Sequence, residues 1–231
     1  MSKTQANTKV EPNAKVEIPS NSFGQTSKFV RENQKSLTFI GVAIIAMVVI
    51  YFAYQKIYLA PREVTAANQM YEAQNFWEKK DWDRAIKGDA GYPGFVKIIN
   101  DYSNTKAANL AYYYLGIAYL NKGEFRKAID NLTSYRGDDS MVAAEALGGT
   151  GDAYTELKDY DKAATYFKKA VDKSKNKLLT PIYLKKLGLV YEAENDNKHA
   201  SEAYKKIKSD YPDSPESQSI DAYIARAETK L

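Results

Sequence analysis

Three stretches of the chain repeat one spacing, and few folds can accommodate it. They are YYYLGIAYLNKGEFRKAIDNL (112–132), LGGTGDAYTELKDYDKAATYF (147–167) and LKKLGLVYEAENDNKHASEAY (184–204). Each sets a large residue, a Gly four later, a Tyr three beyond, an Ala nine further on, and an apolar or aromatic residue four after that. The glycines are Gly116, Gly151 and Gly188, the tyrosines Tyr119, Tyr154 and Tyr191, the alanines Ala128, Ala163 and Ala200, and the closing residues Leu132, Phe167 and Tyr204. A glycine inside a helix costs about 1 kcal/mol relative to alanine, so three at one register need a packing reason. The reason is a close crossing of two helices, with small residues at the contact and rings beside it. NKGEF, LKDYD and ENDNK carry the Gly, Asp and Asn that break helices and so supply the turns. Such units bury their apolar faces by stacking on one another.

A degenerate unit precedes them. NFWEKKDWDRAI (75–86) reads as a helix end, a turn and a second helix start, and GFVKIINDYSNT (94–105) parallels AYKKIKSDYPDS (203–214). KGDAGYPG between them adds a loop. After the last unit, Ser214 is placed to cap a helix with Pro215 at its first position. Ile220, Tyr223, Ile224 and Ala227 give that helix one apolar face, as the end of an array requires. The pattern resembles the tetratricopeptide repeat, a 34-residue helix–turn–helix. Thr150 departs from it where a leucine is usual, and the closing proline occurs only as Pro212. The fold expected is all-α: one N-terminal transmembrane helix, then a tetratricopeptide-repeat solenoid with a C-terminal cap helix. The divisions are a disordered cytoplasmic tail (1–35), a span (36–56), the degenerate first repeat (57–106), three repeats (107–213) and the cap helix (214–231).

The span is LTFIGVAIIAMVVIYFAY (37–54), with no charge between Lys35 and Lys56. About 20 apolar residues as a helix cross roughly 30 Å of hydrocarbon. Tyr51, Phe52, Tyr54 and Tyr58 gather at one end, where an interfacial aromatic belt sits. A buried core helix is the alternative. The leader is longer than a signal n-region and no small-residue cleavage site follows, which points to an uncleaved anchor. Lys28, Arg31 and Lys35 before the span face Lys56 and Arg62 after it, a slight tilt toward a cytosolic tail.

Tyr112, Tyr113 and Tyr114 cannot share a helix face, because neighbours point about 100° apart. Tyr112 occupies the bulky slot against the partner helix. Tyr113 falls in a stripe with Leu110, Ile117 and Leu120, and Tyr114 lies beside it. That stripe, with Glu145, Asp152 and Glu156 from the second repeat and Lys185, Leu189 and Glu192 from the third, is the expected partner-binding groove; for Tyr113, contact with a neighbouring repeat is the competing role. Some tetratricopeptide domains clamp a C-terminal carboxylate with basic residues. The matching places here are Tyr113, Ile117, Gly149, Ile182 and Lys186, of which only Lys186 is basic, so an apolar or aromatic segment is the better occupant.

The remaining signals are structural. GGTG (148–151) lacks the Lys-Ser/Thr of a phosphate loop and sits in a helix. Asp138 and Asp139 lie in a turn, His199 opens a helix among polar residues, and KKAVDKSKNK (168–177) is an exposed helix end. With no cysteine, one histidine and a net charge of +4, disulfides, cysteine-ligated zinc, most acid–base enzymes and nucleic-acid binding have little support. No cofactor and no enzyme activity are expected. From about residue 28 onward, FVRENQKSLTFIGVAIIAMVVIYFAYQK (29–56) followed by repeats resembles the YfgM family, ancillary subunits of the bacterial Sec translocon. That resemblance implies an inner-membrane protein with a cytoplasmic N-terminus and a periplasmic repeat domain. It also implies as partners the Sec translocon, a PpiD-type membrane-anchored chaperone and exported client proteins. An organelle import receptor with cytosol-facing repeats is the alternative.

Overall fold

A computed structural model describes Lys28 and residues 30–231 of the chain. The expected tail therefore lies mostly outside the described residues; within them, residues 30–32 are already helical. Two compact units divide near Tyr54. In the first, α1 (Gln34–Ala53) is a 20-residue helix that buries none of its residues. A π-helical stretch, Tyr54–Leu59, follows. An 18-residue window of the helical run Gln34–Glu78 has a mean hydropathy of 2.5, so by length and composition that run is able to cross a membrane.

The second unit is all helical, and among the described residues no β-strand forms beyond an isolated bridge between Gly88 and Pro93. α2 (Ala60–Glu78) pairs with two short helices, α3 (Trp82–Lys87) and α4 (Phe95–Asp101), split by the KGDAGYPG loop. Three regular pairs follow: α5 (Lys106–Asn121) with α6 (Phe125–Leu132), α7 (Ser140–Glu156) with α8 (Tyr160–Ser174), and α9 (Leu179–Ala193) with α10 (Asn197–Asp210). Ser214 caps a 3-10 turn (Pro215–Ser219) by accepting from the Ser217 N–H, and α11 (Ile220–Glu228) closes the array. The cap helix thus starts as a 3-10 turn rather than as a regular helix. Ile220 and Ala227 are fully buried against the core, with Tyr223 and Ile224 packed beside them.

The repeated glycines sit at the crossings. A methyl group on Gly116 would lie 2.5 Å from Leu132, one on Gly151 2.7 Å from Phe167, and one on Gly188 2.3 Å from Tyr204. In each of the three regular pairs the glycine of the first helix meets the large residue that closes the second. Phe167 and Tyr204 are buried, Tyr204 completely, so these rings define the spacing between helices. Thr150, at the usual leucine place, is also buried, and its hydroxyl donates to the Ala146 carbonyl at 2.8 Å. The hydrogen bond removes the cost of placing a polar group there.

One turn is built four times between paired helices. An acidic residue donates its N–H to the carbonyl of an aromatic five residues earlier: Asp81 to Phe76 at 2.9 Å, Glu124 to Tyr119 at 2.9 Å, Asp159 to Tyr154 at 3.0 Å and Asp196 to Tyr191 at 2.8 Å. The residue before each acid takes a left-handed conformation: Lys80 at φ 60°, Gly123 at 75°, Lys158 at 59° and Asn195 at 62°. Three residues after each acid stands a base that pairs back to it: Arg84 at 2.7 Å, Lys127 at 2.6 Å, Lys162 at 2.6 Å and His199 at 2.6 Å. The same bases lie over the aromatic rings, Arg84 4.7 Å from the Phe76 centroid, Lys127 5.2 Å from Tyr119 and Lys162 5.2 Å from Tyr154. In the last turn the His199 ring sits 5.3 Å from that of Tyr191. Asp81, Asp159 and Asp196 also cap the following helix with their side chains. Arg84 hydrogen-bonding to Asp81, and Lys162 to Asp159, hold those carboxyls below the usual range. His199 is therefore a turn residue with an acidic partner.

Candidate partner-binding site

The first helices of the pairs, α2, α5, α7 and α9, lie side by side and carry every residue expected to line the groove. Their side chains do more joining than displaying. The Tyr113 hydroxyl donates to Glu145 Oε2 at 2.6 Å, tying α5 to α7. Burial, then this hydrogen bond, raises the Tyr113 phenol well above its ordinary pKa. Lys186 Nζ donates to both carboxylate oxygens of Asp152 at 2.7 Å, tying α7 to α9. Lys185 lies 4.7 Å from the centroid of the Tyr223 ring, and Arg226 forks onto Glu192, so α9 is tied to α11. Lys186, the one basic residue at a clamp position, is thus already neutralised within the array.

Three expected groove residues face neighbouring helices. Tyr114 stacks on Phe95 with centroids 5.4 Å apart and planes 8° from parallel, and meets Trp77 edge-on at 5.2 Å. It fills the joint with the degenerate repeat instead of standing beside an open stripe. Its ring reaches back one repeat because the broken second helix there leaves Phe95 within reach. Ile117 and Leu120 face Gly149: a methyl on Gly149 would sit 3.1 Å from Ile117 and 3.8 Å from Leu120. Leu110 is half-buried and packs, as Tyr112 does, against the core that α2 to α5 share. Leu189, by contrast, is 41% exposed. The open part of the face therefore centres on Leu189, with half-buried Asp152, Lys185 and Lys186 near it in register.

The GGTG segment is read by this packing. Gly148, Gly149 and Gly151 are buried in α7, and each faces a different neighbour: Tyr183 of α9, Ile117 of α5 and Phe167 of α8. Glycine at all three lets α7 approach helices on several sides. Tyr183, next to the clamp position Ile182, is 5% exposed. Burial first, then the charges of Glu145 and Asp152, raise its phenol pKa. Its sequence signal was the glycine pair on the preceding first helix, space for a ring from the next. Among the described residues no group of three or more histidine, aspartate or glutamate side chains is placed to hold a metal ion.

With the crossings, turns and cap in view, the sequence comparisons agree with the geometry. Tetratricopeptide repeat models match residues 113–177 and 186–214. The chain folds as an array of tetratricopeptide repeats. Over 116 residues it is 33% identical to uncharacterized protein ycf37 of Guillardia theta, a stretch covering 48% of this chain and 64% of that protein. The chain thus spans less than two thirds of the length of that curated relative. A crystal structure of MamA protein matches with a TM-score of 0.54 at 22% identity, over 72% of this chain and 91% of that one. A second crystal structure of MamA gives 0.50 at 22% identity, over 68% and 93%. At that identity the likeness is one of fold. A tetratricopeptide array of this kind is a scaffold for protein–protein interaction.

Proposed function

We propose that the chain is a membrane-anchored scaffold whose repeat domain holds a protein segment on the face around Leu189. In this reading it serves as an ancillary subunit beside the Sec translocon, working with a PpiD-type chaperone on exported clients. The observation that carries the anchoring is α1, an apolar helix of 20 residues none of which is buried. A core helix of a soluble protein would bury such a surface. The repeat architecture supports binding, and the likeness of residues 29–56 plus repeats to the YfgM family supports the setting. Slight enrichment of Lys and Arg before the span supports a cytoplasmic N-terminus and a periplasmic repeat domain.

Topology and partners are tested together. A reporter fused after Leu231 should be active outside the cytosol, while activity inside it would favour the import-receptor arrangement. A photo-crosslinker is best placed at Leu189, since Tyr113 and Ile117 are engaged between repeats. Capture of translocon, chaperone or nascent exported chains is expected. Adducts only to lipid, or none, would remove the binding face from the proposal.

A further inference from the structure

The two ends of the repeat array are finished differently. At the C-terminal end, α11 turns Ile220 and Ala227 inward and leaves Asp221, Arg226, Glu228 and Lys230 in water. That is the charged outer face an array needs to stop. At the N-terminal end, α2 buries Ala66, Met70, Ala73 and Phe76 against the array. It carries a second apolar stripe about half a turn away, together with the residues leading into it. Ile57 is 78% exposed, Val64 62% and Tyr71 62%. Ala60 and Ala67, three residues after the first two, are exposed on the same stripe.

Two further properties say what covers this face. First, its large residues recur every seven positions, at 57, 64 and 71, with alanines in the intervening slots; Val64, Ala67 and Tyr71 share the regular helix, and Ile57 lies in the π-helical stretch that leads into it. A seven-residue repeat is the seam of a left-handed helix pair, and alanine there permits close approach. Second, the exposed residues between Ile57 and Asn75 are uncharged, in a chain with 27% charged residues, while the half-buried Arg62 and Glu63 hydrogen-bond back to the array at Asp101, Lys106 and Ala107, and half-buried Glu72 bonds within α2 to Asn75. A face that meets its own copy across a twofold axis juxtaposes like with like, so a neutral strip avoids self-repulsion. An electrostatically recognised partner would instead meet complementary charge.

We infer that this face of α2 pairs with the same face of a second copy of the chain, the two helices running parallel. The parallel sense rests on the proposed membrane anchoring, which makes both copies enter from one side; the pairing itself does not. Residues 57, 64 and 71 of one copy lie beside their equivalents in the other. The array of each protomer projects away from the seam, so the face around Leu189 stays open in both.

The chain contains no cysteine, so single introduced thiols report on this pairing without background. Val64→Cys, Ala67→Cys and Tyr71→Cys are made in the full-length chain, with Ala222→Cys on exposed α11 as the control. Membranes are treated with a mild oxidant and run on non-reducing gels. Thiols at a parallel seam fall within disulfide reach, so homodimers of twice the chain mass are expected at one or more α2 positions, severalfold above the control. Absence of dimer at all three positions, equal yield at Ala222→Cys, or adducts with a different protein would overturn the pairing. A Val64→Lys/Tyr71→Lys variant in detergent should lose the dimer while keeping its circular dichroism and melting temperature. A dimer that persists counts against the seam, and if this variant misfolds the thiol result still decides. Alkaline extraction of the same membranes reads the anchoring separately: release of the chain with thiol dimers intact would sink the anchor and leave the pairing standing.

Discussion

Replacing Gly188 by alanine tests the packing on which the whole array rests. The new methyl would stand 2.3, 2.6 and 2.8 Å from three ring carbons of Tyr204. Tyr204 has no exposed surface, so the ring has no free volume to retreat into. Overpacking a filled core costs about 1–3 kcal/mol. Alanine recovers about 1 kcal/mol of helix propensity. The net expectation is a loss of up to about 2 kcal/mol. Gly149→Ala, on the neighbouring first helix, is the matched control. Its methyl would meet the terminal carbons of Ile117 and Leu132 at 3.1 Å and of Leu120 at 3.8 Å, and those ends of flexible side chains give by a few tenths of an ångström. The propensity gain then survives, and the variant should be neutral or stabilised by up to about 1 kcal/mol. A difference of about 2 kcal/mol corresponds to about 4–8 °C in melting temperature for a domain of this size. Thermal melts of the full chain in mild detergent, followed by circular dichroism, resolve that difference. Combining Gly188→Ala with Tyr204→Leu should cancel much of the loss, because the ring that causes the clash is gone. If Gly188→Ala and Gly149→Ala melt together, steric closeness at the crossing is not why the glycine is there.

The turns give a pair of opposite signs: Gly123→Ala should destabilise by about 1 kcal/mol at φ 75°, while Lys158→Gly at φ 59° should gain a few tenths. Equal signs in urea melts would mean that the left-handed position is not strained. At alkaline pH, burial raises the phenol pKa of Tyr113, Tyr183 and Tyr204 in the folded chain. The unfolded chain ionises them near about pH 10, so this stabilising contribution is intact below that pH and lost progressively above it. Tyrosinate absorbance of these three should appear only with loss of helix, and ionisation without unfolding would contradict their burial. Arg226→Ala strips the partner from Glu192, whose side chain is only 11% exposed, and should cost about 1–3 kcal/mol. Hydrogen exchange should show α11 opening before the rest; unchanged protection there would mean the pair does not hold the cap.

Much of the fold was legible because it depends on residues forced by geometry. Gly116, Gly151 and Gly188 carry a helix penalty that only a crossing repays, and each meets the large residue sixteen positions later. Ser214 before Pro215 announced a cap, and the helix it announced opens as a 3-10 turn before Ile220 enters the core. The fourfold turn was legible only in part. Its Gly, Asp and Asn marked breaks, but the shared pattern of aromatic, acid and base was hidden because Lys80 and Lys158 fill left-handed positions that composition assigns to glycine. Capping and ion pairing hold those lysine backbones there despite the steric cost.

The groove was harder to read, for a reason rooted in how stacked repeats are built. A stripe at i, i+3, i+4 and i+7 on a first helix says that the face is apolar, not what covers it. Leu110, Tyr113, Ile117 and Leu120 share such a stripe, yet Tyr113 binds Glu145 and Ile117 seats on Gly149. Both contacts cross between repeats, and sequence separation of 32 residues leaves no local trace of either. What distinguishes a display position is the absence of a neighbour, and absence is set by the small residues of the adjoining helix. Glycine at 148 and 149 brings α7 close enough to absorb Tyr183 and Ile117, whereas Leu189 comes from the last repeat, whose next neighbour is the shorter α11. The same reasoning marks α2. It begins the array: among the described residues no repeat precedes it, and its stripe from Ile57 to Tyr71 lacks the neighbour that every later first helix receives. A second copy of α2 supplies the missing helix in matching register.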